Sequence, residues 1–331
     1  MNSVGGGSRR AGQPSSASGR NAKKEEGNLM ISLIKLYRDS YLASLSGSKS
    51  STAGGEGTDW KTRLKEEIIG HALTHDFKRN VDQANEYIDE VADALANAGL
   101  DVIDVKANVS TKLLSGFAAG FLAVMLEVGM NWDPILDLPY VPGSSIKGVM
   151  RSNLLDLCRS ARASNPGDVE RCARAVLTIF GSGDKFMEGK YLKLTNFKTR
   201  SHIGAIDVFN AYPVKLANGR LLDGDIVNAH YYRNNQLVKN EYEVVPNPVA
   251  HLVVRRGVMF RFLVGVNDLD NASELAYDIF GEEAKGKVKD GVGLALLSLA
   301  YALGRGVGAR TSKGYGIFDI DVNGVSVRRH K

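Results

Sequence analysis

GRGVGARTSKGYG, residues 304–316, places five glycines and three cations, Arg305, Arg310 and Lys313, in thirteen residues without a single acid. Glycine lets a backbone turn through positive φ and lie close to a ligand, so that successive N–H groups converge on an anion. The stretch is therefore a candidate phosphate cradle. Its neighbours settle which kind. Upstream, DGVGLALLSLAYAL (290–303) is an apolar run of helix length that Gly304 is placed to cap, and downstream Ile317 to Val322 alternates like a strand. Residues 304–309 fit G-x-G-x-x-A, yet the dinucleotide fingerprint requires a strand before the glycines and a helix after them, and here that order is reversed. The phosphate-loop pattern fails too, because no glycine lies five residues before a Gly-Lys-[Ser/Thr] in the segment. What is left is a helix, glycine loop, strand unit suited to an extended polyanion.

KGYGIFDI, residues 313–320, also matches the first four positions of the RNA-recognition signature. Ile317 and Ile320 stand where base-stacking aromatics belong, so Tyr315 alone can stack and the loop is expected to grip backbone rather than read bases. Gly304, Arg305, Gly306, Gly308, Arg310, Thr311, Lys313 and Tyr315 are the candidate RNA contacts here.

The 331 residues, 44% of them hydrophobic, can bury a large core, and 42 Lys and Arg against 37 Asp and Glu permit a polyanionic partner without demanding one. Cys158 and Cys172 are too few for a disulfide framework or a four-cysteine zinc site, which points to a reducing, cytoplasmic setting. No apolar run reaches membrane-spanning length and the N-terminus lacks a signal-peptide core. No cofactor motif is present. His71 and His75, four apart beside Asp76, have metal-ligand spacing but no third ligand follows, so no metal is expected.

Residues 1–28 read as a disordered basic tail. Residues 29–99 read as a helical extension, with helices at 29–45, 59–73 and 80–98 and a Ser/Gly linker at 44–58; residues 100–331 form the main domain. Val109 to Val128, interrupted at Gly116 and Gly120, suggests two short strands or one bent strand. In LPYVPGSSIKGVMRSNLLDL (138–157), Ser144 or Ser145 is placed to cap a helix carrying Lys147 and Arg151, a second anion site. Asn218-Gly219 signals a hairpin turn, Pro246-Asn247-Pro248 a proline turn, and Phe260, Phe262 and Val264 one face of a strand. His230, Tyr232 and Arg233 form a cluster able to stack on and bind RNA.

Five motifs occur in order: PYVPGSSIKGVMRS (139–152), IFGSGD (179–184), DIVNAHYY (225–232), PNPV (246–249) and GVGARTSKGYG (306–316). Together they resemble the RAMP superfamily of CRISPR proteins, and within it the sixth Cmr subunit of type III-B effector complexes. The resemblance implies an α+β fold: a ferredoxin-like (RRM-like) βαββαβ core with β-hairpin insertions, whose last helix and last strand flank a glycine-rich loop that holds guide RNA. In such a core Lys147 and Arg151 would extend the track begun by Arg305 and Arg310 along one groove. It further implies a non-catalytic guide (crRNA)-binding subunit that caps the 3′-end side of the backbone filament in antiviral defence. Its partners would be the crRNA and target RNA duplex, the neighbouring Cmr backbone RAMP subunit, the other head-end RAMP subunit and the small helical subunit. The alternative is a metal-independent RAMP endoribonuclease that processes repeat RNA, with His202 or His230 and a tyrosine as acid and base. Nothing local pairs those histidines with a lysine or carboxylate.

Overall fold

The computed structural model describes residues 27–45, 60–162, 165–183, 185–194, 197, 201–229, 232–233, 236–237 and 247–330. Residues 1–26 of the expected tail, most of the Ser/Gly linker, His230 and Pro246 lie outside them. Three helices come first: α1 (Leu29–Leu45), α2 (Trp60–Thr74) and α3 (Lys78–Asn97). The α1 boundaries coincide with its apolar periodicity, and Leu29, Met30 and Leu33 are buried. The start of α1 is held by a carboxylate more than a hundred residues away. The N–H groups of Leu29 and Met30 donate to the Asp137 side chain at 2.5 and 3.3 Å, and the Trp132 indole donates to it at 2.9 Å. Unpaired N–H groups and the positive end of the helix dipole favour an anion at that position.

After α3 comes β1 (Asp101–Val109), then α4 (Gly120–Leu126), the short pair β2 (Trp132–Asp133) and β3 (Leu138–Pro139), α5 (Gly143–Ala161) and α6 (Pro166–Phe180). Next are β4 (Gly181–Ser182), α7 (Lys185–Leu192) and β5 (His202–Ile203), with β4 paired to β5. The second half of the chain runs through β6 (Ile206–Val208), β7 (Tyr212–Lys215), β8 (Leu222–Ala229), β9 (Tyr232–Arg233), β10 (Gln236–Leu237), β11 (Asn247–Val254) and β12 (Met259–Val266). It ends with α8 (Ala272–Phe280), α9 (Gly291–Arg305) and β13 (Phe318–Arg328).

The main sheet is antiparallel in the order β13-β1-β12, with β6 and β7 both on the far edge of β12. Alternation along the strands assigns its two faces. Ile103, Val105 and Ala107 of β1, Phe260, Phe262 and Val264 of β12 and Phe318 of β13 are buried under α9. Phe318 packs edge-on to Phe260 and Phe262, with ring centroids 5.8 and 5.2 Å away. The opposite face carries Asp104 and Arg261, and α3 covers it: Arg261 donates to Asp104 at 2.8 Å and to Asp89 of α3 at 2.7 Å. The helical extension thus closes the sheet face that an RNA-recognition domain leaves open. A separate two-stranded ribbon, β8 with β11, packs against α2 and α4.

Five expectations need correction. Phe121 to Leu126 form a helix, α4, rather than strands, because a short apolar run buried by tertiary contacts has no period of its own. Helix α5 begins at Gly143 with Pro142 in the cap position; neither Ser144 nor Ser145 caps it by a side-chain bond, since the Gly143 N–H is taken by Asn210 at 3.0 Å. Helix α9 continues through Gly304 and ends at Gly306, whose N–H reaches the Ala302 carbonyl at 3.1 Å. Pro248 lies within β11 opposite Asn228, which a two-stranded ribbon tolerates because each strand has an open edge. The two cysteines are joined: Cys158 of α5 and Cys172 of α6 form a disulfide, brought within 5.6 Å Cα to Cα by the packing of those helices. The Asn218-Gly219 turn forms as expected, with φ of 51° and 73°, closed by the Ala217–Arg220 bridge.

Candidate nucleic-acid interface

Residues 304–316 fold back on themselves and on the exit of β1. Val307 and Gly316 are bonded N–H to carbonyl at 2.9 Å, the Ala309 N–H reaches Leu114 O at 2.7 Å, and the Gly316 N–H reaches Lys112 O at 2.8 Å. Gly308 and Gly316 are obligatory here. Each has positive φ, and a Cβ would sit 2.6 Å from Leu114 O at the first and 1.9 Å from Val307 O at the second. Many loop N–H groups are therefore consumed internally, contrary to a cradle in which all converge on a ligand. Four are not: the N–H groups of Gly308, Arg310, Thr311 and Ser312 have no partner among the described residues. Arg310 is left-handed (φ 61°) and leads into a single helical turn at Thr311–Lys313, so three successive free N–H groups lie on one reversal. Such a reversal forms an anion-binding nest.

The cations are arranged by aromatic rings. Arg305 lies over the Tyr301 ring at 5.5 Å and Arg310 over the Tyr315 ring at 5.1 Å. Arg305 Nη1 also donates to the Tyr301 hydroxyl at 3.4 Å, and Arg310 Nη1 is buried without a partner among the described residues. Arg305, Ser312, Lys313 and Gly314 are exposed on the crest, while Arg310 and Tyr315 are half-buried.

Beneath the loop lies a charged cluster that sequence reasoning did not find. The Tyr315 hydroxyl donates to Asp225 of β8, Lys112 reaches the same carboxylate at 3.1 Å, and His251 of β11 stands opposite Asp225 in the ribbon. Burial pushes the Asp225 pKa up, but the bonds from Tyr315, the Ile226 N–H and Lys112 outweigh it and leave the carboxyl below its ordinary value. Burial raises the Tyr315 pKa, and its bond to Asp225 adds to that. His251 is fully buried, which holds its ring pKa below the usual imidazole value; the Val249 carbonyl and Asp225 oppose this and Arg310 and Lys112 reinforce it. Its Nδ1 lies 3.4 Å from Val249 O, and its Nε2 has no partner among the described residues. In the sequence only DIVNAH, residues 225–230, hints at the cluster, because Lys112, His251 and Tyr315 lie far from Asp225 along the chain.

The other expected contacts are placed elsewhere. The Lys147 ammonium donates to Ile206 O at 2.6 Å and lies 3.8 Å from Asp207. Ile206 pairs with Val266, which pairs with Asp101 at the start of β1, whereas the glycine-rich loop sits where β1 ends. The expected continuous groove from Arg305 and Arg310 to Lys147 is therefore not formed. Ser144 and Ser145 are exposed at the α5 entry, and Arg151 is half-buried about two turns further on. Tyr232 and Arg233 pair with Leu237 and Gln236 in the β9–β10 hairpin, and His230 lies outside the described residues. His202 bonds to the Leu177 carbonyl at 2.8 Å. His71 is exposed on α2, while His75 lies 4.0 Å from Asp137. Among the described residues no three His, Cys, Asp or Glu side chains form a cluster able to hold a metal, and no helix is long and apolar enough to cross a membrane.

The CRISPR system CMR subunit Cmr6 of Saccharolobus solfataricus is 25% identical over 261 residues, covering 78% of this chain and 72% of that protein. The CRISPR system Cmr subunit Cmr6 of Pyrococcus furiosus is 30% identical over 218 residues, or 54% of this chain and 57% of that one. In fold, the chain is similar to one in the cryo-EM structure of the Type III-B Cmr-beta bound to cognate target RNA, with a TM-score of 0.60 at 22% identity over 92% of both chains. Residues 122–319, more than half of the chain and inclusive of the glycine-rich loop, match the RAMP superfamily model, and the chain therefore belongs to the RAMP superfamily.

Proposed function

We propose that this chain is a non-catalytic guide-RNA-binding subunit of a type III-B (Cmr) CRISPR effector complex. The observation that carries the reading is the loop crest, where free N–H groups of Gly308, Arg310, Thr311 and Ser312 lie beside Arg305 and Lys313 without an acid in the loop. Those donors suit phosphate oxygens, and they do not discriminate bases. The likeness to the two Cmr6 relatives supports the type III-B assignment. The sheet order supports a ferredoxin-like core, since β13, β1, β12 and β6/β7 stand in the order fourth, first, third and second of a βαββαβ unit, with the β8–β11 ribbon as an insertion. On this reading the subunit caps the 3′-end side of the backbone filament in the cytoplasm. There it meets guide and target RNA, the backbone RAMP subunit, the other head-end RAMP subunit and the small helical subunit. Ser144, Ser145, Lys147, Arg151, His230, Tyr232 and Arg233 are proposed as secondary RNA contacts outside the track that begins at the loop.

Binding of a single-stranded RNA to the Arg305→Ala/Arg310→Ala/Lys313→Ala protein tests the assignment. The slope of log K against log salt should shrink by about 2, at roughly 0.7 per lost phosphate contact on a single strand. An unchanged slope and affinity would remove the loop from the RNA path. Incubation of the wild-type protein with repeat-containing RNA, with and without Mg²⁺, should leave it intact. Cleavage that disappears in His202→Ala or His230→Ala would replace the binding role with a nuclease.

A further inference from the structure

The strand register gathers several turns at the end of the sheet that carries the glycine-rich loop. Val109 pairs with Phe318, Asn108 with Met259, and Met259 with Lys215, so β1 and β7 leave the sheet where β12 and β13 enter it. Main-chain bonds make the surface there continuous. The loop is bonded to Lys112 and Leu114, Leu113 exchanges bonds with Val254 at 3.1 and 2.8 Å, and the Arg255 N–H reaches Leu221 O at 2.9 Å. The turn at 255–258 then touches the turn at 217–220: a Cβ added to Gly257 would lie 3.4 Å from the Ala217 methyl.

Three exposed cations stand on these turns: Lys215, Arg220 and Arg256. None has an ion pair or side-chain hydrogen bond among the described residues. The acids of the adjoining β8–β11 ribbon are already matched, Asp223 by Arg255 at 3.0 Å and Asp225 by Lys112 at 3.1 Å. Lys215, Arg220 and Arg256 are therefore left as unpaired positive charges at the end of the sheet that carries the loop and its free anion donors.

We infer that Lys215, Arg220 and Arg256 form a second phosphate-binding segment that continues the RNA path from the glycine-rich loop across the end of the sheet. This rests on the RNA-binding reading of the loop and adds to it. Unpaired cations of one sign on separate turns suit a flexible polyanion, whose successive phosphates can each find one; they make no base contact, so binding through them is independent of sequence. They also replace Lys147 and Arg151 as the extension of the track, because those two residues lie toward the other end of the sheet edge.

The test uses the full-length protein, a uridine-only single-stranded RNA and a salt titration of affinity. Lys215→Gln/Arg220→Gln/Arg256→Gln should weaken binding at low salt and reduce the salt slope by about 2. The charge-preserving Lys215→Arg/Arg220→Lys/Arg256→Lys should restore both, and all variants should melt with the parent because the three side chains are exposed. An unchanged slope in the Gln variant, with a reduced one in the loop variant, overturns the second segment and leaves the loop reading standing. Unchanged slopes in both overturn the RNA reading itself. Unaltered RNA affinity with lost co-purification of neighbouring complex subunits would reassign the turns to protein docking, which also overturns the inference.

Discussion

The Tyr315 hydroxyl donates its proton to the Asp225 carboxylate, ninety residues earlier in the chain, and so ties the glycine-rich loop to the base of the β8–β11 ribbon. One side of that contact belongs to the glycine-rich loop and the other to a ribbon in which His251 is buried. Loss of the bond in Tyr315→Phe should cost about 1.5–3 kcal/mol, the usual range for a hydrogen bond to a charged group. Asp225→Asn combined with Tyr315→Phe should cost less than the sum of the two single changes. Additive losses in urea unfolding would show that the two groups do not interact.

Gly304 and Gly316 bracket the same loop and should respond in opposite directions to alanine. Gly304 lies within α9 with open space around a new Cβ, so Gly304→Ala should stabilise the protein by about 0.5–1 kcal/mol. Gly316 has φ 73° and a new Cβ would collide with Val307 O, so Gly316→Ala should cost at least about 1–2 kcal/mol from the backbone alone. Thermal unfolding of the two variants measures both signs.

Arg261 and Asp104 are both nearly inaccessible, with side chains 6% and 5% exposed, and they join the sheet to α3 through Asp89. Asp104→Ala strands a buried guanidinium and should destabilise the fold by about 3–5 kcal/mol. Asp93→Ala, which loses only an exposed bond to Arg328, should change stability by no more than about 1 kcal/mol. Equal effects from the two would contradict the proposed joint between extension and sheet.

Stability should fall in two separate pH windows. Asp89, Asp101, Asp225 and Asp290 have pKa values lowered by the fold, so their contribution is complete above the ordinary carboxylate value of 3.8 and is lost as pH falls through the folded values. His251, facing Asp225, Arg310 and Lys112, is held below 6.5 chiefly by burial. Its neutral form is favoured by folding, so stability is complete above 6.5 and erodes as pH falls below it. His251→Leu should flatten unfolding free energy just below pH 6.5 while leaving the acid limb unchanged. An identical pH profile would place the titration elsewhere.

Much of the helical architecture was legible because periodicity is a local property. The Leu29, Leu33, Leu36 spacing located α1 to the residue, and Val81, Ala84 and Ile88 located the buried stripe of α3. Phe121 to Leu126 was misread because its burial comes from packing partners and its six residues are too few to display a period. The loop cations and glycines were visible together as neighbours in sequence. Lys112, Lys215, Arg220 and Arg256 were not, since they come from separate turns that only the strand register brings to one end of the sheet.

By itself, then, the sequence determined the α1 and α3 stripes, the positive-φ turns and the acid-free cationic loop, because each depends on residues within a few positions of one another. The tertiary structure alone decided that Asp137 caps α1, that Arg261 meets Asp104 at a separation of 157 residues, and that Tyr315 meets Asp225. It also decided that Lys147 lies away from the loop. A side chain's sequence neighbourhood sets its secondary structure and charge, but its partner across the sheet is set by register and by which helix covers which face.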